Sequence, residues 1–183
     1  MSDRQTARQT DDMGENALSV ANRFVDLAKE RGENITQLGL MERVYIAHGF
    51  SLAIYDESLL DSRFDRVEAW KYGPVIPSVY HSFKHWKDQP ITERAVIMKW
   101  ENNKPVYEYP TVRSPHAESI IEMVYERYHG MSDGEMVDLT HREGTPWYWY
   151  YKEGENVEIK DTVTKAFYRK IVDSTMGRTG YGG

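Results

Sequence analysis

The sequence contains no cysteine. This absence excludes disulfide-stabilised folds, thiolate zinc sites, cysteine nucleophiles and iron–sulfur clusters, and it fits a reducing cytoplasm. The sequence also has no run of about 18 apolar residues, so it predicts no membrane span. Its first residues, MSDRQTARQTDDMGEN, are polar and lack the apolar stretch of a secretory signal. We therefore expect a cytoplasmic protein.

Positive charge is scarce. Lysine and arginine total 23 against 29 aspartates and glutamates, which gives a net charge of −6. Proteins that bind nucleic acids obtain much of their affinity from cationic side chains on phosphates. The strongest basic cluster is modest and consists of Lys84, His85 and Lys87, with Lys71 and Arg66 upstream. The composition therefore disfavours direct binding of DNA or RNA.

The common catalytic motifs are missing as well. The sequence has no phosphate-binding loop (GxxxxGK[ST] or GxGxxG), no GxSxG serine elbow, no HExxH and no EF-hand pattern. We therefore predict no catalytic residue, no cofactor and no metal. An alternative stays open, because His81 and His85 lie four residues apart in a predicted helix. With His129, His141 or Asp138 as a third ligand they could serve a small histidine- or metal-dependent hydrolase.

Periodicity divides the chain into an arm, one domain and a tail. Residues 1–15 are polar and aperiodic, which predicts a disordered arm, and residues 175–183 predict a flexible tail. Residues 16–174 predict a compact, mainly α domain of about six helices. The helix signals place these helices at about 17–31 and 37–54, from Pro77, over 115–130, after the Ser132-x-x-Glu135 capping box, from Pro146 and over 160–173.

One β-hairpin is predicted at about 95–109. Apolar and polar residues alternate from Ala95 to Glu101, and a second alternating stretch runs from Val106 to Tyr109. Asn102-Asn103 between them is a turn signal.

Aromatic residues are abundant, with 13 tyrosines and 5 tryptophans. The densest run is W-Y-W-Y-Y at 147–151, which is too aromatic for one helix to bury entirely. Its exposed members, such as Tyr148, Tyr150 and Tyr151, are candidate anchors for a partner. Equally, the run could be half core and half a self-association surface.

Three segments together resemble a known family. They are ITQLGLMERVYIAHGFS at 35–51, VEAWKYGPVIPSVY at 67–80 and LTHREGTPW at 139–147. The chain is identified by them as a member of the Panacea domain family, the phage-associated SocA- and GepA-like antitoxins. One departure is Glu42-Arg43, which replaces a basic and an apolar residue of the usual helix. If that face contacts a partner, the resemblance implies a different partner here.

The resemblance implies a function. Panacea domains resemble the antitoxin of a toxin–antitoxin pair and neutralise small protein toxins by binding them, without enzymatic activity. The expected partner is a cognate toxin, and a homodimer is possible. A phage-borne inhibitor of a host protein and an adaptor that delivers its target to a protease remain alternatives.

The middle segment is the most specific part of the resemblance. Gly73 and Pro74 are expected to stop any regular element, which gives a rigid loop that packs Trp70 and Tyr80 against the helix at Tyr45–His48. Two interpretations stay open, a core latch or a partner interface. The candidate motif and interface residues are Tyr45, His48, Trp70, Tyr72, Gly73, Pro74, Pro77, Tyr80, His141, Trp147, Tyr148 and Tyr151.

Overall fold

The computed structural model describes residues 14–179 of the chain. Within this range it contains seven α-helices and five short strands. The helices are α1 (Ala17–Glu30), α2 (Gln37–Tyr55), α3 (Pro77–Phe83), α4 (Pro115–Tyr128), α5 (Asp133–His141), α6 (Pro146–Tyr150) and α7 (Asp161–Thr179). The prediction of a mainly α fold is confirmed. The described range holds seven helices, one at each of the seven predicted positions, so the expected count of about six was too low. None of its helices is both long and apolar enough to cross a membrane.

Polar side chains cap the first turns of several helices. Thr36 and Ser114 accept hydrogen bonds from backbone N–H groups of the first turns of α2 and α4. Ser132 and Glu135 form the predicted capping box at the start of α5. These caps satisfy N–H groups that the first helical turn leaves unpaired. Three helices also carry proline in the first turn, where its missing N–H costs nothing.

Helix α2 lies at the centre of the fold. It is buried on nearly all sides from Gly39 to Ala53 and packs against α1, α4, α5 and α7. A helix that is apolar all round belongs in the core, and the amphipathic helices around it turn their apolar faces inward. Tyr45, Leu40 and Ile46 of α2 are almost completely buried.

A small antiparallel sheet lies beside α2 and was not predicted. Strands β1 (Glu68–Trp70), β2 (Gly73–Val75) and β5 (Val157–Glu158) pair in the order β2-β1-β5. The expectation that Gly73 and Pro74 stop any regular element was therefore wrong. Both residues belong to β2, where Gly73 pairs with Trp70 and Pro74 pairs with Ala69. Proline is tolerated there because β2 is an edge strand.

The predicted hairpin is confirmed. Strands β3 (Ile97–Glu101) and β4 (Lys104–Glu108) form a separate two-stranded sheet. The turn residues Asn102 and Asn103 have φ of 50° and 60°, as a type I′ turn requires.

Both ends of the domain differ in detail from the prediction. Residues 1–13 of the predicted arm lie outside the described residues, whereas Glu15 is buried and bridges to Leu60. Helix α7 was expected to end near residue 173 and continues to Thr179. The last four residues of the predicted tail lie outside the described residues.

Candidate functional site: an aromatic groove

A cavity of about 600 Å³ opens between the start of α2, the β1–β2 hairpin, α3 and the segment 151–156. We call it the aromatic groove. Apolar and aromatic side chains provide most of its surface: Leu38, Met41, Trp70, Tyr72, Pro74, Val75, Tyr80 and Tyr151. Five of these are candidate residues of the sequence analysis, namely Trp70, Tyr72, Pro74, Tyr80 and Tyr151.

Trp70 and Tyr80 form one wall of the groove. Their ring centroids are 4.9 Å apart in an edge-to-face arrangement. The Trp70 indole Nε1 donates a hydrogen bond to Glu68 Oε2 at 2.8 Å, and Arg66 Nε donates to Glu68 Oε1 at 2.6 Å. Because the buried Glu68 carboxylate fixes the indole, the wall is formed before any ligand arrives.

Trp147 attaches α6 to the back of this wall. Its indole Nε1 donates to the Trp70 carbonyl oxygen at 2.7 Å. Its ring stacks on the Tyr151 ring with centroids 4.8 Å apart, and the centroid of the His141 ring lies 4.1 Å from that of Trp147. The third family segment is thereby joined to the second, and the half-buried Trp147 packs between the Trp70 backbone, Tyr151 and His141.

Gly73 lies against the buried Glu42 and the half-buried His141. Its φ is 132°, and a Cβ atom there would lie 2.7 Å from Glu42 Oε1 and 2.8 Å from His141 Cε1. Only glycine fits, because any side chain would be strained by this backbone and would overlap both neighbours.

Glu42 is buried beneath the groove, with 1% of its surface exposed. Its Oε2 accepts a hydrogen bond from Thr140 Oγ1 at 2.8 Å, whereas Oε1 has no partner. Burial raises the pKa of Glu42 to about 8, and the hydrogen bond from Thr140 opposes this shift. The carboxyl group is therefore neutral at pH 7.

His141 lies on the other side of Gly73. Its Nδ1 donates to the Val137 carbonyl oxygen at 2.9 Å, which sets the tautomer. Burial lowers the pKa of His141 below its usual value. The ring is therefore a neutral packing group at pH 7.

The rim of the groove carries charges of both signs. Lys71 and Lys87 supply the cations, and Glu153 and Glu155 supply the carboxylates. Tyr72 extends from the rim with 72% of its surface exposed, and Lys71 Nζ lies 5.3 Å from the centre of its ring. An apolar interior with a charged rim is the composition of many protein interfaces.

Two candidate residues lie away from the groove. Tyr45 and His48 are buried and face α7, where Tyr45 contacts Tyr168 and His48 Nε2 donates to Asp161 Oδ1 at 2.8 Å. Burial would raise the pKa of Asp161, but the hydrogen bond from His48 lowers it below its usual value.

The segment 67–80 therefore packs on α2 about one helical turn earlier than predicted. The groove lies over Met41 and Glu42 of α2, one turn before Tyr45. This position follows from the strand at Gly73–Val75, after which the backbone N–H of Ile76 donates to Met41 Sδ at 3.3 Å. Pro77 is half-buried and begins α3 as predicted.

The unusual pair Glu42-Arg43 lies in the interior of the domain. Both side chains are buried. Arg43 donates to the backbone carbonyl oxygens of Gly39 at 2.9 Å and Tyr128 at 3.0 Å. A change at this pair therefore acts on the core of the domain.

The W-Y-W-Y-Y run is divided between core and surface. Tyr148 and Trp149 are exposed, whereas Trp147, Tyr150 and Tyr151 are half-buried. Trp149 is the most exposed member at 70% and was not among the residues predicted to be anchors. A five-residue helix turns every side chain in a different direction, so composition alone could not rank them.

The histidine pair considered for a metal is separated by the end of a helix. Helix α3 ends at Phe83, and His85 lies in the 3₁₀ turn Lys84–Trp86 that follows. Both His81 and His85 are exposed. Over residues 14–179, no three histidine, aspartate or glutamate residues are grouped so that they could hold a metal ion.

Comparisons with known proteins agree with the resemblance in the sequence. The family model "Antitoxin SocA-like, Panacea domain" matches residues 40–148, more than half of the chain. A curated protein named "Antitoxin SocA", from Caulobacter vibrioides (strain NA1000 / CB15N), is 32% identical over 131 residues, which are 72% of this chain and 68% of that protein. No solved structure matches. These matches indicate a non-enzymatic role, and the chain belongs to the family of SocA-like antitoxins with a Panacea domain.

Proposed function

We propose that the chain is an antitoxin that neutralises a small protein toxin by binding it in the aromatic groove. Membership of the SocA-like family supports the antitoxin role. The preformed groove of about 600 Å³ is the observation that carries the choice of surface. Its tryptophan and tyrosines belong to the residue types that dominate binding energy at protein interfaces.

The fixed position of the groove wall supports tight binding. The Trp70 ring is held by its hydrogen bond to Glu68, and the Trp70 carbonyl is held by Trp147. A partner therefore loses little affinity to the ordering of these side chains. Leu38 and Tyr72 are exposed at the edge of the groove and are the first groups that a partner covers.

Charge supports a basic toxin. The chain carries a net charge of −6, and Glu153 and Glu155 lie on the rim of the groove. The net negative charge of the whole chain accelerates association with a basic protein and opposes association with nucleic acid, while the rim itself holds two glutamates and two lysines. Lys71 and Lys87 on the same rim offer partners to acidic side chains of the toxin and so fix its orientation.

Direct blocking of the toxin is the mechanism that we propose, in a toxin–antitoxin pair of phage-associated type. Delivery of the toxin to a protease and inhibition of a host protein are the alternatives. Blocking and delivery can be distinguished by measurement, because blocking leaves the amount of toxin in the cell unchanged whereas delivery to a protease lowers it.

The test requires a candidate toxin, which is sought as the product of a short reading frame adjacent to this gene. Its expression alone should stop growth, and co-expression of this chain should restore growth with the toxin level unchanged in an immunoblot. A Leu38→Ala/Tyr72→Ala variant should bind the purified toxin at least about tenfold more weakly, since each lost contact costs about 1 kcal/mol or more. Growth rescue should then fail.

Phe64→Ala is the matched control, because Phe64 is an equally exposed aromatic outside the groove. It should bind and rescue like the wild type. A folded Leu38→Ala/Tyr72→Ala variant with wild-type affinity would exclude the groove as the binding surface.

A further inference from the structure

The β3–β4 hairpin is exposed almost throughout. Ile97 and Glu108 are half-buried, and the eight other residues of its two strands are exposed. An isolated two-stranded hairpin is marginally stable in water and normally needs a layer packed on one face. The hairpin therefore lacks the cover that its architecture requires.

One face of the hairpin is entirely apolar. Met98 lies opposite Tyr107, and Trp100 lies opposite Pro105, so these four side chains share a face. By alternation, Val96 and Tyr109 extend the same face toward the domain. We call these six residues the hairpin face: Val96, Met98, Trp100, Pro105, Tyr107 and Tyr109.

The hairpin face is strongly exposed. Trp100 is 67% and Tyr107 is 65% exposed, and Val96, Met98 and Tyr109 are about half exposed. The opposite face carries the charges, with Lys99 paired to Glu108 across the strands. At the base, Arg94 lies over the ring of Tyr109 and 3.6 Å from Asp26. A contiguous apolar patch bordered by charged residues is typical of an interaction site.

The edge of β4 does not favour pairing with another strand. In a two-residue type I′ hairpin, Glu101 and Lys104 exchange backbone hydrogen bonds, so the next pair, Trp100 and Pro105, points its backbone groups outward. Pro105 has no N–H to offer at that edge. Association by strand addition is therefore disfavoured along β4.

A second copy of the chain fits this face best. At a two-fold interface the same patch lies on both sides, so charges of one sign clustered in that patch would repel each other across the interface. The hairpin face contains no charged side chain and avoids this repulsion. Its five large side chains each expose about 100 Å². Two copies would then bury about 1,000 Å² in total, which reaches the lower limit of specific interfaces.

We propose that the chain forms a two-fold symmetric homodimer in which the hairpin faces of two copies pack on each other. This inference does not depend on the toxin-binding groove. Dimerisation places the two apolar layers in contact and gives each hairpin the second layer that it lacks.

Sedimentation of the full chain from 1 to 100 µM tests the proposal. The wild type should change from monomer to dimer across this range. A Trp100→Ser/Tyr107→Ser variant should remain monomeric with an unchanged circular dichroism spectrum. A Lys99→Ala/Val106→Ser variant, changed on the opposite face of the same strands, should dimerise like the wild type. A monomeric wild type at 100 µM would overturn the proposal, as would a dimeric Trp100→Ser/Tyr107→Ser variant.

Cysteine cross-linking gives a second test on a nearly native protein, because the chain contains no cysteine of its own. Tyr107→Cys should be joined to a second copy by a short bis-maleimide, and Val106→Cys on the opposite face should not. Equal cross-linking of both variants would refute the predicted face. If the wild type stays monomeric and only toxin binding depends on Trp100 and Tyr107, the face belongs to the toxin and the homodimer is wrong.

Discussion

Glu42 is expected to make the stability of the protein depend on pH. It lies in the core beneath the groove with one carboxyl oxygen unpartnered, and burial raises its pKa to about 8. In the unfolded chain the carboxyl has its ordinary pKa of 4.5. Between these values the folded protein holds one more proton than the unfolded chain, so stability must fall as pH rises.

The size of the effect follows from the difference between the two pKa values. Each pH unit between them changes the free energy of unfolding by about 1.4 kcal/mol. The contribution of Glu42 is complete below pH 4.5, declines through the neutral range and is lost above pH 8. From pH 5 to pH 8 the loss amounts to about 4 kcal/mol.

Urea unfolding of the wild type and of Glu42→Gln at pH 5, 6, 7 and 8 measures this effect. Glutamine can still accept the hydrogen bond from Thr140 and cannot ionise. The quantity of interest is the difference in unfolding free energy between the two proteins. Because His141 is present in both, its own pH dependence, which has the opposite sign after burial lowers its pKa, largely cancels.

Glu42→Gln should gain about 4 kcal/mol relative to the wild type as pH rises from 5 to 8. Glu153→Gln, which changes an exposed carboxylate on the rim, should show no such trend. If the difference between wild type and Glu42→Gln stays within about 1 kcal/mol over this range, the carboxyl group is not held neutral and the reasoning fails.

Three further outcomes are expected. Gly73→Ala should lower the free energy of unfolding by about 3 kcal/mol, because a Cβ atom would overlap Glu42 and His141. Gly154→Ala, where a Cβ atom meets open space, should lower it by about 1 kcal/mol. Equal losses of the two variants in urea unfolding would contradict the crowding argument. Trp70→Ala should cost about 3 kcal/mol, at the low end for a large aromatic because the ring is half-buried, and an unchanged melting temperature would show that it carries no packing role. Toxin association, followed by stopped flow, should slow between 0.05 and 0.5 M salt with little change in dissociation, and a constant association rate would exclude acidic steering.

The sequence predicted those features that depend only on neighbouring residues, such as helix caps and tight turns. The capping box at Ser132 and the Asn102-Asn103 turn lie where the sequence predicted them. These features depend on neighbours within four residues, so one sequence suffices to find them.

The sheet around Gly73 could not be found in this way. Its strands are three, three and two residues long, and the third strand comes from residues 157–158. Glycine and proline in such a short segment favour a turn, and the tertiary contact with Met41 overrides that preference. The burial of Glu42 also depends on a distant residue, Thr140, and no local pattern indicates it.

The two interpretations of the W-x-Y-G-P-V-x-P segment, a core latch or an interface, describe opposite sides of one hairpin. On its inner side Gly73 lies against Glu42, and the Trp70 carbonyl binds Trp147. On its outer side the Trp70 ring and Tyr72 line the groove. Changes to the inner side should therefore lower stability, and changes at Tyr72 should lower affinity alone. Because Trp70 belongs to both sides, its loss should reduce stability and binding together.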